Sequence, residues 1–104
     1  MCEDNSLPSI ISVDGNYGFT PYALEKGLPL LSSAAEKLGI AIMKITNTFH
    51  FAALWPETEF LANSGLVSIA CTAAKPMVAP ASAKKAFFGT NPISFAWPRT
   101  GQPP

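Results

Sequence analysis

The chain is short of charge. Only 13% of its 104 residues are Asp, Glu, Lys or Arg, and seven acids balance seven bases to a formal net charge of zero. No basic block or stripe is present, so no nucleic-acid partner is expected. There is one histidine, His50, and there are two cysteines, Cys2 and Cys71, at no metal-ligand spacing. No metal site is expected from such a set. A disulfide framework is excluded on the same count, and a reducing cytoplasm is the simple expectation. No apolar run reaches the roughly 18 residues that a bilayer span needs, so no membrane partner is expected. The start, Met1-Cys2-Glu3-Asp4-Asn5, is acidic and polar, the opposite of a signal peptide's start. Neither G-x-G-x-x-G nor G-x-x-x-x-G-K-[ST] occurs, which removes the standard Rossmann and P-loop phosphate sites.

Apolar residues are not scarce. They make up 48% of the chain, too many for a disordered polymer. A small domain has much surface to cover and normally covers it with charge. The shortage points to a surface that something else covers, and an ordinary apolar-rich domain is the plain alternative.

Period and punctuation divide the chain into an α/β alternation. Ser9-Ile10-Ile11-Ser12-Val13 is a short β-type run closed by the turn signal Asp14-Gly15-Asn16. Thr20-Pro21 then opens a helix, with Thr20 as the cap and Pro21 in the first turn. Leu24, Leu28, Leu31, Ala35 and Leu38 recur at helical steps, and Gly39 stops the run. Gly27 weakens this helix and Pro29 removes a hydrogen bond, so a kink is expected over residues 25–29. Ile40 to Thr46 is apolar and rich in β-branched residues, the pattern of a buried strand. A second helix is expected over 52–63, with Trp55, Phe60 and Leu61 inward and Glu57 and Glu59 facing water. Ser64-Gly65 ends it, and Leu66 to Thr72 forms a third strand. Strand, helix, strand, helix, strand with short links implies right-handed parallel crossovers, with residues 10–13, 40–46 and 66–72 in one sheet. Beyond that lie a proline-rich loop over 73–85, the turn Gly89-Thr90-Asn91-Pro92 and a strand-like run from Ile93 to Trp97. Residues 99–104 read as a disordered tail.

Two stretches could carry chemistry. His50 alone can titrate near neutrality without a large shift, and it follows a strand beside Asn47 and Thr48. Ligands of open α/β sheets collect past the C-terminal ends of the strands. A structural histidine is the competing reading. No nucleophile, base and acid can be assembled around it. Gly89-Thr90-Asn91-Pro92 offers a backbone that can be approached closely and a hydroxyl, against the alternative of a plain corner between strands.

Taken together, Asn47-Thr48-Phe49-His50-Phe51, Pro76-Met77-Val78-Ala79-Pro80 and Gly89-Thr90-Asn91-Pro92-Ile93 resemble the type-2 malate/L-lactate dehydrogenase family. His50 to Glu57 and Phe88 to Pro98 are most similar to its Δ1-piperideine-2-carboxylate/Δ1-pyrroline-2-carboxylate reductases. The resemblance implies that family's α/β fold, which is unrelated to the Rossmann dehydrogenases. It implies an NAD(P)H-dependent oxidoreductase, with NADPH as cofactor and NADH possible. The substrate would be a cyclic imino acid or, second, a 2-oxo acid. His50, Phe51, Ala52, Ala53 and Leu54 would line the nicotinamide, His50 would serve in acid/base chemistry, and Thr90 would contact the substrate. Full-length relatives are expected to be homodimers. Ser82-Ala83 stand where the family usually has two glycines, and Ala73-Ala74 where it often has Asn-Ser. Family members are much longer, so residues 1–104 read as a partial cofactor-binding region of a larger enzyme. On that reading the chain alone is marginally stable. The alternative is a non-catalytic remnant or interaction module that keeps the fold.

Overall fold

A computed structural model describes residues 2–51 and 53–104. Its elements are β1 (Cys2–Leu7), β2 (Ile10–Phe19), α1 (Thr20–Leu38), β3 (Ile42–Phe49), α2 (Trp55–Asn63), β4 (Ser68–Cys71) and β5 (Ile93–Ala96). The α/β alternation of the sequence is therefore present. Strand β1 was not legible, because Cys-Glu-Asp-Asn-Ser-Leu has little β propensity. It becomes a strand by pairing antiparallel with β2, from Cys2 opposite Asp14 to Leu7 opposite Ile10.

The three strands expected in one sheet are divided between two. One sheet has the order β1-β2-β3, and β4 pairs only with β5. Helix α1 carries the chain from β2 to a parallel β3, the expected crossover, with Ile10 opposite Ile42 and Asp14 opposite Thr46. After α2 the chain does not return to that sheet. Ser68 to Cys71 run antiparallel to Ala96 to Ile93. Apolar period and turn residues mark where strands lie. They carry no information about which strand bonds to which, and that is where the single-sheet expectation failed.

The core sits where α1 crosses β2. Ile11, Val13 and Ala23 are buried, with Leu31, Ala34, Met43 and Ile45 packed around them. Burying one such aliphatic side chain contributes about 2 kcal/mol. Gly27 belongs to this contact. A Cβ there would run into Met43 Sδ and lie 3.2 Å from Val13 Cγ2. The residue that weakens the helix in sequence is the one that lets it sit close to the sheet. Pro29 lies inside α1, yet the helix runs unbroken from Thr20 to Leu38. The helix thus persists on both sides of residues 25–29, as expected, with Pro29 on the exposed side.

Two further expectations change. Thr20 does not cap α1: Phe19 occupies the cap position and makes no side-chain cap bond. Thr20 Oγ1 instead donates to the Phe49 carbonyl at 3.1 Å, tying the start of the helix to the end of β3. Strand β3 is half-buried on one face only, with Met43 and Ile45 inward and Ile42 59% exposed. Ile40, Ile69, Ile93, Phe95 and Trp97 are also exposed, so both sheets present apolar faces. Residues 99–102 form a turn, with Arg99 bridged to Gln102 and Arg99 Nε donating to the Pro103 carbonyl at 2.8 Å. Among the described residues no helix is long and apolar enough to cross a membrane.

Gly27→Val should lower stability by about 1–3 kcal/mol through overpacking of α1 against β2 and β3. Chemical denaturation checks this. A variant as stable as the parent would show that the helix can move away from the sheet without loss.

Candidate functional site

The parallel pairing of β2 and β3 is interrupted just before His50. Pairing runs to Asp14 opposite Thr46 and resumes at Gly18 opposite Thr48, so β2 has extra residues there. Asn16, Tyr17, Asn47 and His50 all have left-handed backbones, with φ of 48°, 60°, 54° and 51°. Asparagine tolerates this region, whereas Tyr17 and His50 adopt it at a cost of about 1–2 kcal/mol each. Asp14 holds the irregular segment. Its Oδ1 accepts from the Asn16 backbone N–H at 2.9 Å and from Asn47 Nδ2 at 3.2 Å. The sequence shows only a turn signal at this point. The structure makes it a clamp across two strands, three residues before His50.

The clamp and the bond from Thr20 to Phe49 deliver His50 to the exit of β3. His50 is exposed, with its ring 6.3 Å from that of Phe19. Ala53 N–H donates to the Phe51 carbonyl at 2.7 Å, which tightens the turn that follows. His50, Phe51 and Leu54 line a cavity of about 1,090 Å³. Ala53 is half-buried beside it, and Ala52 lies outside the described residues. The far wall is the leucine stripe of α1: Leu24, Leu28, Leu31 and Ala35. The stripe recognised in sequence faces this space, while Ala23 and Gly27 face the sheet. Strand β4 and residues 72–75 close another side.

Thr90 is not in this cavity. It is exposed, and its turn docks on the cavity's rim. Asn91 Oδ1 accepts from Ala74 N–H at 2.9 Å, and Ala73 and Ala74 both line the cavity. A Cβ on Gly89 would collide with the Ala74 carbonyl, so glycine is required for that docking. Ser82 has φ of 66°, a conformation that favours glycine.

Glu57 is the group that sequence reasoning placed wrongly. It was expected to face water, yet it is 5% exposed, lines the cavity, and its Oε2 has no hydrogen-bond partner among the described residues. Helix α2 begins at Trp55 instead of residue 52, and Pro56 lies in its first turn. That start turns Glu57 and Thr58 inward. Thr58 is satisfied: Oγ1 donates to the Trp55 carbonyl at 3.1 Å and shares a 2.7 Å bond with Ser94 Oγ. Ser68 Oγ donates to the Thr58 carbonyl at 3.2 Å. The sequence held one signal for the burial of Glu57: Leu61, expected inward, lies four residues from it on the same face of the helix. Among the described residues no group of three His, Cys, Asp or Glu comes together to hold a metal.

The two acids titrate in opposite senses. The Asn16 N–H, then the Asn47 amide, hold the Asp14 carboxyl below its ordinary value. Loss of water pushes the Glu57 carboxyl up, partly countered by its own backbone N–H. A lowered folded pKa stabilises above the unfolded value and is lost as pH falls through the folded one. Asp14→Asn should therefore differ most from the parent at neutral pH, with the gap closing on acidification. Glu57 works the other way, its carboxyl being best tolerated below the ordinary carboxylate range and costly as pH rises through its raised value. Thermal melts of Asp14→Asn and of Glu57→Gln across acid to neutral pH check the signs.

Comparison with known proteins agrees with this geometry. Residues 3–104 match the family described as malate/L-lactate dehydrogenase. The Δ1-pyrroline-2-carboxylate reductase of Pseudomonas fluorescens is 46% identical over 97 residues, 93% of this chain and 29% of that protein. Δ1-Pyrroline-2-carboxylate reductase 2 of Burkholderia multivorans is 49% identical over 96 residues, 92% of this chain and 28% of that protein. The crystal structure of Δ1-piperideine-2-carboxylate reductase from Pseudomonas syringae superposes with a TM-score of 0.87 at 37% identity, covering 98% of this chain and 31% of that one. Malate dehydrogenase of Pyrococcus horikoshii gives 0.86 at 27% identity, covering 98% of this chain and 29% of that one. The chain thus spans under a third of the length of these relatives. By sequence over nearly its whole length, and by fold, the chain belongs to the malate/L-lactate dehydrogenase family.

Proposed function

We propose that residues 1–104 form one wall of the cofactor and substrate site of an NAD(P)H-dependent reductase acting on a cyclic imino acid. The observation that carries the reading is the placement of His50, Phe51 and Leu54 at a cavity walled by leucines. Relatives at 46% and 49% identity named for Δ1-pyrroline-2-carboxylate support this substrate over a 2-oxo acid, the second choice. The residues present fit a flat aromatic ring: the walls are apolar, and the left-handed turn at His50 brings backbone to the edge of the space. NADPH is the proposed cofactor, with NADH the alternative, and the complete enzyme is proposed to be a homodimer in a reducing compartment.

A reduced nicotinamide supplies a hydride when bound, and the rest of the chemistry falls to the protein. Phe51 and Leu54 exclude water from the ring and fix its plane. His50 holds a proton donor or acceptor at the rim, where the ring nitrogen of the imine gains its proton as C2 gains hydride. The product is a cyclic amino acid. Thr90 offers its hydroxyl to the substrate from the loop anchored on Ala74. Such chemistry requires the ring and the proton donor to be held together in one geometry.

NADPH oxidation with Δ1-pyrroline-2-carboxylate tests the reading. In a full-length relative, alanine at the position of His50 should lower turnover by about 10²-fold or more. Residues 1–104 alone should give no measurable turnover, because groups acting as a unit lose most of their effect when separated. Full activity of the isolated chain, or an undiminished alanine variant, would refute the assignment.

A further inference from the structure

We propose that Glu57 is a ligand-recognition residue of the cavity, accepting a hydrogen bond from an N–H group of the molecule bound there. This rests on the functional reading above, which names His50 to Leu54 and Thr90 but gives Glu57 no role. Glu57 is 5% exposed, and its Oε2 is shut off from water without a partner among the described residues. The polar side chains buried near it are bonded: Thr58 to Ser94 and Trp55, Ser68 to Thr58. A carboxyl oxygen left unpaired in the interior is costly, and such groups are rare unless something completes them.

A group bound in the cavity can reach it, because Glu57 is part of the cavity's wall. The terminal torsion of a glutamate is soft, so the carboxyl can turn its free oxygen toward a ligand without moving α2. Desolvation already pushes this carboxyl up, so a donor, and still more a cation, is favoured there over water. The neighbouring walls are apolar, with Leu28, Leu61 and Leu54 lining the same space. These three offer no donor; Lys75 and His50 also line the cavity, but neither is bonded to Oε2. On the functional reading two sources supply an N–H: the ring nitrogen of the substrate once protonated, and the carboxamide of the nicotinamide. The shared chemistry is an N–H donor beside an apolar ring. Charge complementarity also gives Glu57 a specificity role, since an oxygen heterocycle or a 2-oxo acid has no such donor to offer it.

The first test needs no ligand. In the purified chain, Glu57→Gln and Glu57→Leu should raise the melting temperature by about 5 °C, because a buried unpaired charge has been removed. A lower melting temperature in both, or failure of either to fold, would show that Glu57 has a structural partner and would overturn the proposal. The second test is titration followed by NMR with three probes: NADPH, L-proline and tetrahydrofuran-2-carboxylate, which has proline's shape with oxygen in place of N–H. The parent should prefer L-proline to the oxygen analogue by about tenfold, and Glu57→Leu should erase that preference if the ring nitrogen is the donor. If the carboxamide is the donor, Glu57→Leu should instead weaken NADPH by about tenfold. Either result supports the proposal. Unchanged affinities for all three probes in the variants would overturn it while leaving the cofactor reading intact. A parent that binds none of them would overturn both.

Discussion

The parallel pairing of β2 with β3 is the constraint on which the rest depends. Parallel neighbours need a crossover, and α1 is that crossover. To lie flat on the two strands α1 must approach closely, which Ala23 and Gly27 permit by having little or no side chain. Once it is seated, its leucine stripe lines the space beside β3, with Leu31 also packed against the core. The same pairing brings the C-terminal ends of both strands to one edge. His50 stands at that edge because Thr20, the first residue of the helix, is bonded to Phe49.

Strain and isolation are concentrated at this edge. Left-handed residues at Tyr17 and His50 and the unpaired carboxyl of Glu57 each oppose folding by an amount comparable to one good core contact. The Asp14 clamp offsets part of the backbone term by fixing Asn16 and Asn47 in the conformations they tolerate best. The core around Val13 is small, and large apolar residues such as Ile40 and Ile69 remain 73% and 70% exposed. A cavity wall held by so few buried contacts is well placed to respond to what it binds, since local opening costs least where buried contacts are few.

Chemistry and architecture were legible to different degrees. Helix limits followed from local signals: Pro21 and Gly39 bracket α1 because their effects act within one turn. The importance of the His50 segment was also legible, as a strand passing into polar residues and a lone histidine. Glu57 was misplaced because its charge was read as a mark of the solvent face, although it shares a helix face with Leu61. Thr90 lies outside the cavity that His50 lines, on a turn docked to the cavity's rim through the Ala74 N–H and Asn91 Oδ1.

The amino-acid sequence by itself determined most of the strands and helices and both limits of α1, because those choices depend on neighbours a few residues apart; β1 and the start of α2 were not among them. It also determined the family, through motifs that keep their order and spacing. Tertiary structure alone decided that β4 pairs with β5, that β1 joins the first sheet, and that Glu57 lies inside without a partner. Strand partners and the burial of a charge depend on contacts between residues distant in the chain. Local period and propensity do not encode them, and only the packing of α1 and α2 around the shared cavity resolves them.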